Sequence, residues 1–321
     1  MDILSLYYFA ELAKDLHITR TANRLSLSQQ TLSNHIQRLE EAYGVPLLHR
    51  KPVLSLTNAG EAVLEFAELV SREQRNLKNR LSDLEHETQG VINFGASQLR
   101  MQASLPEVLP RFSAQFPQVE LRLTTANSAE LEPKILDGSL DLAIILAELE
   151  DIPPVLSAQH LMDDPLYLCM TDSLLTRCNP EQAEYLRTKS RSGAVVRDFS
   201  KIPFCTAVNR VGQILQACFE EAGMVPNTYL VDSTLTVSAN ICFQGLSACV
   251  LTKSAILCQH STLPADLNCF PLLLHEKPVT QSLYLIHRQD RYLTRYTEQF
   301  RQLLVEQFQF LHQKEIAKHV P

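Results

Sequence analysis

Ser28–Arg38 reads S-Q-Q-T-L-S-N-H-I-Q-R. Ser28 is a good N-cap type, because its hydroxyl can accept from a free N–H of the first helical turn. Leu32, Ile36 and Leu39 recur at i, i+4 and i+7, so one face of the predicted helix is apolar and faces a core. The opposite face carries Gln29, Gln30, Ser33, Asn34, Gln37 and Arg38. Such side chains can reach base edges or phosphates, and the amides present a donor and an acceptor together. A solvated helix face is more often rich in Glu and Lys, so what flanks this helix decides how it is read.

Outward on the N-terminal side, Asp2 can cap a first helix carrying Ile3, Leu6, Phe9, Ala13 and Leu16 at helical spacing. A break at His17-Ile18 leads to a short helix through Arg20, Ala22 and Leu25. A tight turn at Ser26-Leu27 then delivers Ser28. Two short helices joined in this way make a helix-turn-helix. On the C-terminal side Gly44 suits the residue that ends a helix, and V-L-S-L-T from Val53 suits a short ribbon. That makes a winged variant, with Arg50 and Lys51 where a wing meets a phosphate backbone. The basic residues from His17 to Lys51 outnumber Glu40 and Glu41, although the whole chain carries a net charge of −7. A small nucleic-acid-binding head on an acidic body fits that balance; a protein that coats nucleic acid indiscriminately does not.

The run Thr19–Arg50, T-R-T-A-N-R-L-S-L-S-Q-Q-T-L-S-N-H-I-Q-R-L-E-E-A-Y-G-V-P-L-L-H-R, followed by L-T-N-A-G at Leu56–Gly60, resembles the LysR-type bacterial transcriptional regulators. Ala22, Leu25, Ser28, Gln29, Leu32, Ser33, Ile36, Leu39, Glu40, Gly44, Leu47, Arg50, Thr57, Ala59 and Gly60 match that family's pattern in register. Gln30 stands where the family usually has proline, and Asn34 where a basic or aromatic residue is frequent. The resemblance implies that Gln29, Gln30, Ser33, Asn34 and Arg38 face the major groove of double-stranded DNA, with Arg50 on the backbone near the wing; Ser28 and Thr31 are expected among the DNA-binding residues as well. It also implies a homodimer or homotetramer.

Beyond Thr57 a long helix pattern runs to about residue 89. Val63, Ala67, Val70, Gln74, Leu77, Leu81 and Leu84 alternate at spacings of four and three, a heptad seam. The expected use is pairing of two subunits, with Val63, Val70, Leu77, Leu81 and Leu84 at the contact. The expected organisation is a winged helix-turn-helix over 1–58, a linker and dimerisation helix over 59–89, and a body over 90–321.

In the body, strand and helix patterns alternate from Gly90 onward, which argues α/β with a largely parallel sheet. The whole chain is thus α+β multidomain. The order resembles the two-lobed effector-binding body of the same family, similar to type 2 periplasmic binding proteins, with lobe I at about 90–161 and 270–321 and lobe II at about 162–269. In such sheets ligands sit beyond the carboxyl ends of strands. Ser97, Gln98, Asn127, Ser128, Thr206 and Asn209 lie in those loops and are the expected effector-binding residues. Only Arg100 and Arg210 bring positive charge near them. The expected ligand is a small carboxylate held mainly by hydroxyls and backbone amides. The polar stretch Arg177–Lys201 is longer than the family pattern and predicts an added helix or loop; Gly245-Leu246-Ser247 predicts an altered turn.

Other function classes are less well served. No G-x-G-x-x-G, P-loop, G-x-S-x-G or H-E-x-x-H pattern occurs, and Asp163-Asp164 reads as a solvated turn, so no enzyme, catalytic residue or cofactor is expected. The eight cysteines show no C-x-x-C pair and no zinc spacing, so no metal site is expected. A thiol redox sensor on the same scaffold would use Cys205 and Cys218. With no signal-like segment or apolar run of membrane length, a cytoplasmic protein without membrane contact is expected.

Overall fold

The computed structural model describes residues 2–50, 53–84, 89–232, 235–258 and 263–315. The chain divides into two compact units, Met1–Glu87 with Arg291–Thr294, and Thr88–Asp290 with Arg295–Pro321.

The first unit holds α1 (Ile3–Ala13), α2 (Ile18–Arg24), α3 (Gln29–Tyr43), β1 (Leu48–His49), β2 (Ser55–Leu56) and α4 (Asn58–Leu84). Asp2 caps α1 by accepting from Leu4 N–H at 2.7 Å. The α2–α3 turn closes with Ser26 at φ +56°, a left-handed backbone that few residues other than glycine adopt readily. α3 ends at Gly44, also left-handed at φ +71°. Leu6, Phe9 and Leu12 of α1 meet Leu32, Ile36 and Leu39 of α3 in one core, closed by Leu47, Leu48, Val63 and Ala67.

The L-T-N-A-G stretch acquires a physical reason here. Thr57 Oγ1 accepts from Gly60 N–H at 2.9 Å and caps α4, while Thr57 N–H donates to the Leu47 carbonyl at 3.0 Å. A Cβ on Gly60 would stand 2.1 Å from that same carbonyl oxygen, so only glycine lets α4 start this close to the wing.

The expected seam on α4 divides between two environments. Val63 is 9 % exposed and lies in the head's own core, with the partly buried Val70 packed against that core. Leu77, Leu81 and Leu84 are exposed, as are Phe66 and Leu69, which the heptad reading left out. The far half of α4 is held by the short segment Arg291–Thr294. Tyr292 N–H donates to Asn76 Oδ1 at 3.1 Å, its hydroxyl donates to Asp83 at 2.9 Å, and the Arg80 guanidinium lies over its ring. The linker helix was expected to reach 89, yet Gln89 already belongs to a strand.

The second unit holds β3 (Gln89–Ala96), α5 (Gln98–Gln115), β4 (Gln118–Thr125), α6 (Ser128–Leu136), β5 (Leu142–Leu146), β6 (Leu156–Thr171), α7 (Asp172–Cys178), α8 (Ala183–Ser190), β7 (Pro203–Ala207), α9 (Arg210–Ala222) and β8 (Asn227–Asp232). It continues with α10 (Leu235–Phe243), β9 (Cys249–Thr252), α11 (Lys253–Cys258), β10 (Leu267–Pro271), β11 (Leu273–Leu274), β12 (Lys277–Pro278), β13 (Thr280–Arg288) and α12 (Arg295–Gln313). The stretch 177–201 supplies the end of α7, the helix α8 and a 3₁₀ turn at Val196–Phe199.

The main sheet runs β10-β6-β13-β5-β3-β4. It is mixed rather than largely parallel: β3 pairs in parallel with β4 and β5, but β13 is antiparallel to β5 and to β6. β7 and β8 form a separate parallel pair. β6 is the strand common to both lobes. Its residues Leu156–Pro165 pair with β13, and Leu166–Thr171 pair with β9 and β10. The changeover therefore falls at Pro165/Leu166 rather than at 161/162. β10 and Leu272 remain with the second lobe's core, beyond the expected return at 270. α12 covers one face of the first lobe with Phe300, Leu303, Leu304, Phe308 and Leu311 at helical spacing, and Phe300 meets Phe94 and Phe112 edge-on at 5.4 and 5.3 Å.

Candidate functional site

Two sets of polar residues stand out, one in each unit. In the first unit, Ser28 Oγ accepts from Thr31 N–H at 3.0 Å and also meets the Thr31 hydroxyl at 2.8 Å. That fixes the first turn of α3 on the buried Leu32, Ile36 and Leu39. Gln29, Gln30, Thr31, Asn34 and Arg38 are exposed on the other side, with Ser33 half-buried at the edge. Gln30 donates to Asn34 at 2.9 Å, so the two positions that depart from the family pattern act as one hydrogen-bonded pair. Gln29 accepts from Thr19 at 3.2 Å, which ties the start of α3 to α2. The face can present amide donors and acceptors, hydroxyls and one guanidinium to a ligand surface.

Glu40 is a residue whose role sequence reasoning missed. Its Oε1 accepts from Leu47 N–H at 2.9 Å and Leu48 N–H at 3.3 Å, and its Oε2 pairs with Arg50 at 3.0 Å. One carboxylate thus ties α3 to β1, and Arg50 leans on it while remaining largely exposed. Lys51, the other basic residue expected at the wing, lies outside the described residues.

In the second unit the expected loop residues lie at the carboxyl ends of parallel strands, but most of their side chains are engaged. Ser97 caps α5, Asn127 caps α6 through Glu130 N–H at 3.1 Å, and Asn209 caps α9 through Gly212 N–H at 3.1 Å. Ser128 Oγ accepts from Leu146 N–H at 2.9 Å, so it closes the end of β5. Gln98 is exposed in the first turn of α5 and Thr206 is half-buried on β7. Of the two nearby cations, Arg210 reaches from α9 to the Leu146 carbonyl at 3.3 Å and to Glu148 at 3.6 Å.

Arg100 is different. It is 6 % exposed, and its Nη2 is 3.8 Å from Asp164 Oδ2, too far for a hydrogen bond. Burial pushes this guanidinium below its ordinary range, against the opposing pull of Asp164. Asp164 is fully buried in the middle of β6, which corrects the solvated turn expected at Asp163-Asp164. The strand pattern concealed it, because charged residues rarely sit in a strand interior unless partnered.

The two cysteines considered for redox chemistry sit in different cores. Cys205 is 2.9 Å from the Ser247 hydroxyl, and burial pushes the Cys218 thiol to about 11. Burial pushes the Cys205 thiol up as well, so neither environment favours the thiolate. Cys169 Sγ and Cys269 Sγ lie 3.7 Å apart across β6 and β10. Among the described residues no cluster of three or more His, Cys, Asp or Glu could hold a metal ion, and no helix is long and apolar enough to cross a membrane.

Comparison with known proteins adds to this geometry. Residues 3–61 match the model of the bacterial regulatory helix-turn-helix protein, lysR family, and residues 85–309 match the LysR substrate binding domain. The HTH-type transcriptional activator IlvY of Salmonella typhimurium is 37 % identical over 145 residues, covering 45 % of this chain and 49 % of IlvY. The chain thus spans about half the length of the curated relative it matches there. Among solved structures, a full-length OxyR variant from Pseudomonas aeruginosa superposes with a TM-score of 0.65 at 20 % identity, over 99 % of this chain and 100 % of that one. Full-length CbnR in complex with its target DNA gives 0.54 at 20 % identity, over 96 % and 100 %. At those identities the likeness speaks for the fold.

Proposed function

The chain belongs to the LysR family of bacterial transcriptional regulators, and from that premise we propose that it is a sequence-specific DNA-binding regulator controlled by a small-molecule effector in its second unit. The observation that carries the DNA reading is the exposed Gln/Thr/Asn/Arg face of α3, held rigidly by its buried face inside a helix-turn-helix. In this reading the first turns of α3 enter the major groove, Gln30 and Asn34 read base edges together, and Arg38 and Arg50 hold phosphates. The CbnR complex shows a protein of this fold on duplex DNA, which supports the mode of docking.

A homodimer follows from the same reading, because two heads meet two half-sites of a near-palindrome. Leu77, Leu81 and Leu84 leave an apolar stripe on α4, and Phe66 and Leu69 extend it toward the head. A stripe of that size on a long helix is an interaction surface rather than scattered exposure. Effector binding acts as a population shift: it favours the form of the second unit that binds it better, and DNA affinity changes accordingly.

Selection of duplexes from a random library tests the reading. The expected result is enrichment of a near-palindromic site whose half-sites lie about one helical turn apart. Retention of random duplexes without a shared sequence overturns it. Leu77→Glu with Leu81→Glu should convert the dimer to a monomer in sedimentation and weaken binding to the full site far more than to a half-site.

A further inference from the structure

Four buried polar atoms without a hydrogen-bond partner lie around one carboxylate in the second unit: Nε and Nη2 of Arg100, and Nε2 and Oε1 of Gln281. Gln281 on β13 is the direct cross-strand partner of Asp164 on β6, so the two side chains leave the same face of the sheet. Arg100 reaches Asp164 from the first turn of α5, with Nη2 3.8 Å from the carboxylate. Asp164 does not satisfy either neighbour. Its oxygens accept from Ser254 N–H at 2.9 Å and Ser254 Oγ at 2.5 Å, at the start of α11. Native interiors seldom leave such groups unpaired, and a guanidinium least of all.

The place is informative. Asp164 stands one residue before the Pro165/Leu166 changeover of β6 between the two lobes. α11 shares its residues between both cores, with Leu257 in the first lobe's cluster and Ala255 and Ile256 in the second's.

We propose that Arg100 and Gln281 anchor a small carboxylate carrying an adjacent hydroxyl or amino group. The inference rests on the reading of the second unit as an effector-binding domain. A ligand carboxylate takes Nε and Nη2 together, the paired geometry for which a guanidinium is shaped. Gln281 offers both a donor and an acceptor, so its Nε2 gives to a ligand oxygen and its Oε1 takes from the ligand's hydroxyl or amine. An anion lacking that donor leaves Oε1 unmet, and a neutral amide leaves Arg100 uncompensated. This anchor differs from the expected site made mainly of hydroxyls and backbone amides, several of whose side chains are engaged as caps.

Thermal melting of the full-length protein tests the proposal, in sodium lactate, serine, pyruvate, lactamide or sodium sulfate, each against sodium chloride at equal ionic strength. Lactate or serine should raise Tm saturably and more than pyruvate, and lactamide should do nothing. Arg100→Gln should weaken the apparent affinity by roughly tenfold or more, and Arg100→Lys should keep part of it. Gln281→Leu should retain the response to anions while losing the preference for lactate over pyruvate; should Arg100→Gln fail to fold, this variant decides the matter. A wild-type response preserved in Arg100→Gln, a preference preserved in Gln281→Leu, a response to sulfate alone, or no response to any of these compounds overturns the proposal. Affinity for selected duplex DNA, measured without additive on the same samples, separates the two levels. Intact DNA binding with no anion response removes only this inference, whereas absent DNA binding removes the reading on which it rests.

Discussion

The two units hold their candidate ligand groups in different settings. In the head, the groups at the two ends of α3 are tied to backbone, and the groups free to meet a ligand stand on an exposed face of α3. In the second unit, the loop residues nearest solvent are tied as caps, and a cluster of buried groups without partners, on Arg100 and Gln281, lies beside Asp164. An exposed polar face can meet a large, flat, charged partner without rearrangement. A buried unpartnered set suits a small ligand whose binding is coupled to a change of form. The difference teaches which observable to seek in each unit: affinity and sequence preference in the head, ligand-dependent stability in the second unit.

The largest expected effect falls on the second unit. Asp164→Asn leaves Arg100 buried beside a neutral group, and removal of one member of a buried pair typically costs about 3–5 kcal/mol. Calorimetry should show the second unit's transition lowered while the head's is unchanged. If the loss is under about 1 kcal/mol, Arg100 is already compensated by something other than Asp164.

Leu32→Ala gives the matching break in the head. Leu32 is fully buried beneath the polar face, and truncation of such a leucine costs about 2–5 kcal/mol. DNA binding should be lost together with the head's transition, while a lactate-dependent shift of the second unit persists. Loss of both would mean that the two units do not melt separately.

Glu40→Ala is smaller and sharper. It strips an acceptor from Leu47 and Leu48 N–H groups that are partly buried, at about 1–3 kcal/mol. Glu40→Gln keeps an acceptor but loses the charge facing Arg50, so it should recover most of that stability. Equal losses in the two variants would place the value of Glu40 in the ion pair instead of the backbone bonds.

The smallest effect is on acid stability. Asp2 is held below the ordinary carboxylate range chiefly by the Leu4 N–H, and Asp15 chiefly by the Thr21 hydroxyl. Their folded values are depressed, so their contribution is present above the ordinary carboxylate range and is lost as pH falls through the folded values. The head's Tm should therefore fall between about pH 4 and pH 2 more steeply in the wild type than in Asp15→Asn.

The same contrast explains what could be read from the chain beforehand. α3, its cap and its apolar stripe are encoded within a dozen or so consecutive residues, so periodicity and capping exposed them directly. Gly60 and Glu40 matched a family pattern before they had a reason, because their partner, the Leu47 backbone, lies on another element. Val63 and Val70 fit a heptad as well as they fit a domestic core, and spacing alone does not distinguish the two. The site around Asp164 was the least legible. It draws on Arg100, Asp164, Ser254 and Gln281, residues far apart in sequence that only the pairing of β6 with β13 and the packing of α11 bring together.

The central claim is that the exposed face of α3 reads bases, and paired titrations of Asn34→Ala and Arg38→Ala test it most directly. Each variant is measured on a selected duplex and on random DNA across a salt series. Loss of Asn34 should cost about 1–3 kcal/mol on the selected site and little on random DNA. Loss of Arg38 should weaken both and flatten the dependence of log affinity on log salt by about one. Equal losses on specific and random DNA for both variants would contradict the account.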